Sequence, residues 1–202
     1  MRDYFRNMSL TNPMGDLTIT DPQAMRALAH PVRLAALTHL QRHGPATATQ
    51  LSPHVGATPS VVSWHLRHLA TFGLVMDAGP DEAPAGGRQR YWKAASRGFT
   101  TRLADDDDSQ TARRLLSGQM EEAARQQVEK WWAETEPDLD HTWRRLSGLS
   151  NTGVRLTADE FDELQNAIDE LIGAYVRRAD ADIPADARRV RILRQYLPEA
   201  QS

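Results

Sequence analysis

The residues whose types and spacing point most directly to a chemistry lie between positions 58 and 72. On a helical wheel Val62, Leu66 and Leu69 fall on one side, which predicts a buried stripe. The opposite side then carries hydrogen-bonding and aromatic side chains: Ser60, Ser63, Trp64, Arg67, His68 and Thr71. Hydroxyl and guanidinium groups can bond to base edges and phosphates, and an indole ring can contact a thymine methyl group. The face therefore predicts double-stranded DNA as the ligand, read through the major groove.

Two further features could hold the DNA backbone. Thr58 precedes Pro59 at the start of this helix, where free backbone N–H groups and the positive end of the helix dipole can bind a phosphate. Arg88 and Arg90 follow a stretch rich in Gly and Pro, residues 77–88, which is typical of a long hairpin loop. From there they could reach flanking phosphates, although the alternative that they only keep the loop soluble stays open. The predicted DNA-binding residues are Thr58, Ser60, Ser63, Trp64, Arg67, His68, Arg88 and Arg90.

Proline, glycine and capping residues define the elements that must position this helix. Pro22, Pro31 and Pro59 each mark a helix start, and Thr47 with Gln50 has the form of a capping box. The glycines at 44, 56 and 73 mark helix ends. Two helices on either side of a short turn give the pattern of a helix-turn-helix. The predicted elements are helices over 22–29, 31–43, 48–55 and 59–72 and strands over 74–76 and 89–93.

The second half has a different pattern. The four carboxylates of residues 105–108 predict a solvated linker rather than a metal site, because adjacent carboxylates repel each other. A long helix over 110–134, a shorter one around 139–146 and a capped helix over 157–176 are expected, with short strands at 153–157 and 190–194. A broad apolar stripe predicts packing within the chain or across a two-fold axis, and an aromatic-lined pocket there could accept a small apolar effector. The residues assigned to this dimerisation or effector face are Leu116, Met120, Val128, Trp131, Trp132 and Trp143.

Charge separates the two halves of the 202-residue chain. Residues 21–104 carry nine positive and four negative charges, a net of +5, whereas residues 105–202 carry 13 positive and 21 negative charges, a net of −8. A basic first half suits binding to a polyanion, and the acidic second half is expected to face away from it.

Composition excludes several classes of protein. The chain has no cysteine, which excludes disulfides, zinc ribbons and thiolate metal sensing. No apolar run approaches the ~20 residues that span a bilayer, and the N-terminus lacks the apolar segment of a signal peptide. We therefore expect a cytoplasmic protein with no membrane partner.

Motifs for catalysis and metal binding are weak. The chain contains no nucleophile elbow, phosphate-binding loop or dinucleotide fingerprint. Asp159 and Glu160 lie in the first turn of a helix, where they stabilise the dipole. His39 and His43 have the i, i+4 spacing of a zinc pair, but we interpret them as surface or half-buried histidines. The sequence thus predicts a non-enzyme with no metal site and no cofactor.

Blocks of sequence over residues 21–95 resemble the arsenic-repressor-like (ArsR) winged-helix regulators. The blocks are LAHPVRLAAL at 28–37, ATPSVVSWHLRHL at 57–69, FGLV at 72–75 and GRQRY at 87–91. The resemblance implies a dimeric DNA-binding repressor, with 58–68 in the recognition helix and 77–89 as the wing. The chain departs from the metal-sensing members, which carry a cysteine pair on the preceding helix.

These observations predict a mainly α fold with small β (α+β). A winged helix-turn-helix domain would be followed by a helical dimerisation or effector region with a small β element. The expected divisions are a flexible arm at 1–20, the DNA-binding domain at 21–104 and the C-terminal region at 105–202. The expected function is sequence-specific regulation of transcription by a homodimer, as a repressor, on a near-palindromic operator. The alternative is a protein-interaction module whose C-terminal half binds a partner, with DNA contact secondary.

Overall fold

The fold is mainly α with small β, as the sequence predicts, and its strands form two small sheets. The computed structural model describes residues 8–10, 12–79, 82, 89–102 and 104–200. Its helices are α1 Pro22–Leu28, α2 Pro31–His43, α3 Ala48–Val55, α4 Pro59–Thr71, α5 Asp107–Glu134, α6 His141–Leu146 and α7 Ala158–Val176. Its strands are β1 Met8–Leu10, β2 Leu17–Ile19, β3 Ala46–Thr47, β4 Val75–Asp77, β5 Tyr91–Ala94 and β6 Phe99–Thr101.

Local sequence signals account for the starts of the helices. The Asp21 carboxylate accepts a hydrogen bond from the Gln23 N–H at 2.8 Å and caps α1. Thr47 and Gln50 form a reciprocal capping box at α3, and the same device at α7 joins Thr157 and Glu160. Each box satisfies backbone donors that the first turn of a helix leaves free, which fixes where the helix begins.

Two three-stranded sheets flank the helices. In the first, β5 pairs antiparallel with both β3 and β4, with Ala46 opposite Trp92 and Val75 opposite Ala94. In the second, β2 pairs antiparallel with β1 and parallel with β6. The β4–β5 hairpin comes directly after α4, so the first sheet has the position expected for the wing of a winged helix.

The hydrophobic core lies mainly within residues 17–94. It contains fully buried side chains from all four of the first helices, together with Trp92 of β5. The first turns of α5 belong to this core as well, because Ala112 and Leu116 pack into it beside α1. Arg26 of α1 also forms an ion pair with Asp108 at the start of α5. The helix-turn-helix is therefore held by the helices before it and the helix after it.

Two expectations for the ends of the first half differ from the structure. Residues 17–19, placed in a flexible arm, form β2, whose three side chains are buried against the core. The parallel pairing of Leu17 with Phe99 explains this, since a partner about 80 residues away cannot be read from local sequence. The carboxylate run at 105–108 is not a linker either. Asp106 caps α5 by accepting from the Ser109 N–H at 2.9 Å, and Asp107 and Asp108 form its first turn.

The second half is helical, but it lacks the predicted strands. In the described stretch 104–200, no strand forms at 153–157 or at 190–194, so the expected small β element of this region is wrong. Apolar and polar residues alternate around Val154 and Leu156 and again around Val190 and Ile192. In the single chain, however, no strand pairs with either segment. Arginines join the halves instead. Arg97 donates to the Val176 carbonyl at 2.8 Å, and Arg189 donates to the Arg42 carbonyl.

Candidate nucleic-acid interface

The position of α4 is set by the helix before it and by the turn between them. Gly56 ends α3 in the left-handed conformation, with φ of 66°. The Ser52 hydroxyl donates to the Ala57 carbonyl at 2.6 Å and closes the turn. Val62, Leu66 and Leu69 are fully buried, as the wheel predicts. The opposite face of α4 is therefore held rigidly toward solvent.

That outer face carries the predicted contact residues. Thr58, Ser60, Trp64 and Arg67 are exposed, while Ser63 and His68 are half-buried. Trp64 keeps 55% of its surface exposed. Five of the eight candidate DNA contacts therefore lie on one face of α4, and Thr58 lies at its N-terminal end.

Contacts along the helix preorganise the larger side chains of this face. The Arg67 guanidinium donates to the Ser63 hydroxyl at 2.9 Å, and no carboxylate among the described residues pairs with it. The rings of Trp64 and His68 stack in parallel, with centroids 5.7 Å apart and 1° between planes. Arg67 thus keeps donors for a base or phosphate, and Trp64 has a defined ring plane.

A cluster of basic groups lies beneath this face. His65 is only 5% exposed, and its ring contacts the Trp64 ring edge-on at 4.8 Å. Arg33 of α2 lies with its Nη1 3.5 Å from His65 Nδ1, and the ring of His30 is 4.6 Å away. Burial lowers the pKa of His65, and the charges of His30 and Arg33 lower it further. The folded structure therefore favours the neutral form of His65.

The start of α4 is open to a ligand. Thr58 is the N-cap residue, with φ −66° and ψ 154°, but its side chain makes no capping hydrogen bond. Pro59 has no N–H group, and the next backbone N–H groups face the exposed end of the helix. This is the arrangement in which a helix N-terminus can bind a phosphate.

Of the two hairpin candidates, the structure describes Arg90, and this side chain already has partners within the hairpin. Arg90 is held at the base of the hairpin, where its Nε donates to the Asp77 carboxylate at 2.7 Å. Its guanidinium also lies 3.9 Å from the centroid of the Trp92 ring. Arg90 must therefore share or leave Asp77 to bind a phosphate. Arg88 lies outside the described residues.

The second-half candidates do not form one site. Leu116 is 1% exposed in the core against α1, so it cannot contact a second copy or an effector. Met120, Val128 and Trp132 are exposed, and Trp131 packs against Trp132 with centroids 4.8 Å apart. The prediction for Leu116 was wrong because one apolar stripe runs along α5. The first turns of this helix pack against α1, whereas its later apolar residues are exposed to solvent.

A surface cavity of about 480 Å³ lies between the end of α2 and the β4–β5 hairpin, bordered by Leu40, Met76 and Lys93. Among the described residues, no group of three His, Asp or Glu side chains is placed to hold a metal ion. His39 contacts the rings of both His43 and His54, at 4.5 Å and 4.4 Å between centroids.

Two residues of the interface were missed from the sequence. Val61 is 44% exposed one turn before Trp64, and its spacing of three from Trp64 and seven from His68 is the signal that could have identified it. Arg33 lies on another helix, and no local pattern connects it to His65.

Comparison with known families identifies the domain that contains α4. The helix-turn-helix domain family matches residues 28–77, from the end of α1 to the end of β4. Comparison with curated proteins gives no match to this chain. The chain therefore carries a helix-turn-helix domain, which indicates a DNA-binding regulator of transcription. In the part of the chain that the structure describes, no helix is long and apolar enough to cross a membrane.

Proposed function

We propose that this chain is a sequence-specific regulator of transcription of the arsenic-repressor-like winged-helix class. It acts in the cytoplasm as a homodimeric repressor, without catalysis, on a near-palindromic operator. The observation that carries the proposal is the outer face of α4. There a 55% exposed tryptophan projects from a helix whose other face is fully buried, beside an arginine that has no carboxylate partner among the described residues.

The surrounding elements support a winged-helix mode of binding. The β4–β5 hairpin of the first sheet follows the helix-turn-helix, and the bond to Asp77 holds Arg90 at the base of this hairpin. The net charge of +5 over residues 21–104 adds attraction to phosphates that does not depend on sequence. In this mode Ser60, Ser63, Trp64, Arg67 and His68 contact bases, and Thr58 and Arg90 contact the backbone, with Arg88 assigned to the same role from sequence alone.

The homodimer is supported by the second half of the chain. Met120, Val128 and Trp132 are exposed along one helix, and large exposed apolar side chains in a monomer mark contact surfaces. A two-fold dimer brings two α4 helices to successive half-sites of a palindrome. An apolar effector bound to this half would change the spacing of the two helices and thereby the affinity for DNA. A dimer bound to an operator also excludes other proteins from that DNA, which is the basis for proposing repression.

The same exposed surface favours a second candidate function. Of the 19 large exposed apolar residues among those described, 17 follow residue 104, so the second half could be the main binding module, with another protein as its partner. The two functions differ in what the outer face of α4 does. A protein-interaction module loses nothing when that face is changed, whereas a DNA reader loses specific affinity.

The deciding experiment is selection of sheared genomic DNA by the purified protein at near-physiological salt, followed by sequencing. We expect a palindromic motif, and we expect Trp64→Ala/Arg67→Ala to bind that motif about a thousandfold more weakly, at roughly 2 kcal/mol for each base-contacting side chain. Arg113→Ala/Arg114→Ala is the matched control, since it removes two exposed charges of α5. Retention without a motif that falls steeply with salt would mean backbone attraction only and would contradict the proposal.

A further inference from the structure

Exposed apolar surface is confined to one place in the first half of the molecule. Among the described residues up to 102, the large apolar side chains that remain exposed are Val61 and Trp64, at 44% and 55%. Both belong to α4, and a spacing of three residues puts them on the same face. The other large aliphatic and aromatic side chains of this half whose burial the structure describes are buried or half-buried, so the pair is a local feature of the outer face of α4.

The chemistry of the pair differs from that of its neighbours. Val61 offers no hydrogen-bonding group, and Trp64 offers a single N–H donor on a large apolar ring. The stacked His68 ring fixes the plane of the indole, so little side-chain freedom is lost when a ligand covers it. Ser60, Ser63 and Arg67 place hydrogen-bonding groups along one side of the pair. The surface therefore fits a ligand that presents apolar points within a polar frame.

The major groove of DNA offers such points only at thymine. Each base pair presents hydrogen-bond donors and acceptors there, and the thymine C5-methyl group is its apolar projection. We infer that Val61 and Trp64 contact thymine methyl groups, so that each operator half-site carries thymines at the positions facing these two side chains. This inference rests on the proposed function and assigns Val61 as an additional specificity-determining residue.

The first test uses the motif selected with the wild-type protein. Each thymine of one half-site is replaced in turn by uracil, which removes the methyl group and keeps the base pair. At contacted positions we expect about a fourfold loss of affinity for each methyl, the equivalent of ~0.8 kcal/mol for a buried carbon. At other positions affinity stays unchanged.

The second test connects each methyl group to a side chain through a double-mutant cycle. Val61→Ala is measured on the thymine and uracil probes, and we expect the uracil effect to disappear at one position. Trp64→Ala should abolish the effect at a different position. Val154→Ala is the matched control, because it makes the same change at an exposed valine of the second half and should leave every uracil effect as in the wild type.

The outcomes separate this inference from the proposed function. A selected motif whose affinity does not respond to uracil at any thymine overturns the inference and leaves the proposed function intact. Uracil effects that persist unchanged in both variants overturn it as well, and so does unchanged DNA affinity in both variants, which would leave the pair for a protein partner. Failure to select any motif overturns the proposed function, and the inference falls with it.

Discussion

The two halves of this protein treat apolar side chains in opposite ways. In the first half Leu28, Leu37, Leu51 and Leu66 are fully enclosed within one core, and among the described residues of this half the exposed large apolar groups are a pair on α4. In the second half Leu171 and Tyr175 of α7 remain about 70% exposed. A single chain therefore completes the core of the helix-turn-helix unit, whereas large apolar side chains of the second half stay open to solvent.

The two halves also differ in the arrangement of their charged and titratable groups. Histidines of the first half lie close to other basic groups, as the buried His65 does beside His30 and Arg33. In the second half, exposed ion pairs link acidic and basic groups along the helix surface, as at Arg125 between Glu122 and Glu129. Such exposed pairs contribute little to stability. Burial in the core therefore stabilises the first half, and the exposed ion pairs add little to the stability of the second half.

The largest effect that separates the halves is expected from shortening a leucine. Leu66→Ala leaves a cavity in the core and should lower the free energy of unfolding by about 3 kcal/mol. Leu171→Ala removes an exposed side chain and should change it by less than about 0.5 kcal/mol in the monomer. Urea unfolding followed by circular dichroism at low protein concentration measures both. Equal losses at the two sites would contradict the comparison.

The next largest effect concerns self-association. Trp132→Ala removes a large apolar group, 51% exposed in the single chain, and should raise the dimer dissociation constant about 30-fold, the equivalent of ~2 kcal/mol for a central interface residue. Sedimentation velocity over a concentration series gives the constant. Lys130→Ala lies on the opposite side of α5 and serves as the control. A wild-type chain that stays monomeric throughout the series would rule out the homodimer.

A smaller difference is expected at the two capping boxes. Thr47→Ala and Thr157→Ala each remove the hydroxyl that accepts from the third N–H of a helix, worth about 1 kcal/mol. Thr47 caps α3, which packs into the core, so loss of its hydroxyl should lower the free energy of unfolding of the whole unit. Loss of the Thr157 hydroxyl should only fray the first turn of α7. Unfolding midpoints and amide hydrogen exchange distinguish the two results. The Thr→Ser variants keep the hydroxyl and should restore both properties.

The smallest effect is expected from pH. Burial and neighbouring positive charge lower the pKa values of His30 and His65 from the usual 6.5, so the folded state favours their neutral forms. The stability this contributes is fully present above pH 6.5 and is lost as pH falls through the lowered pKa values. The unfolding midpoint should therefore be lower at pH 5.5 than at pH 7.5. His65→Gln should reduce that difference, and an unchanged pH response in this variant would count against the cluster as its source.

Local sequence predicted most of the helical framework. The helix at 59–71, its buried stripe and its exposed tryptophan follow from a proline start and a 3.6-residue period. Both capping boxes were identified from four-residue patterns. The same reasoning failed at Leu116, because an apolar stripe that continues along α5 does not show which of its residues pack against α1. It also failed for the strands at 153–157 and 190–194. Alternation of apolar and polar residues makes a segment suitable for a sheet, but it does not supply a neighbouring strand to pair with.

The sequence by itself determined where the first four helices begin and end to within a residue, which face of α4 is buried and how charge divides between the halves. The helix ends and the buried face depend on residues within one or two helical turns of each other, and the division of charge follows from composition. The tertiary structure alone decided that Arg33 lies against His65, that Asp77 holds Arg90 and that residues 17–19 complete a sheet with 99–101. Each of these contacts joins positions more than ten residues apart, so the packing of the core brings them together and no local pattern records them.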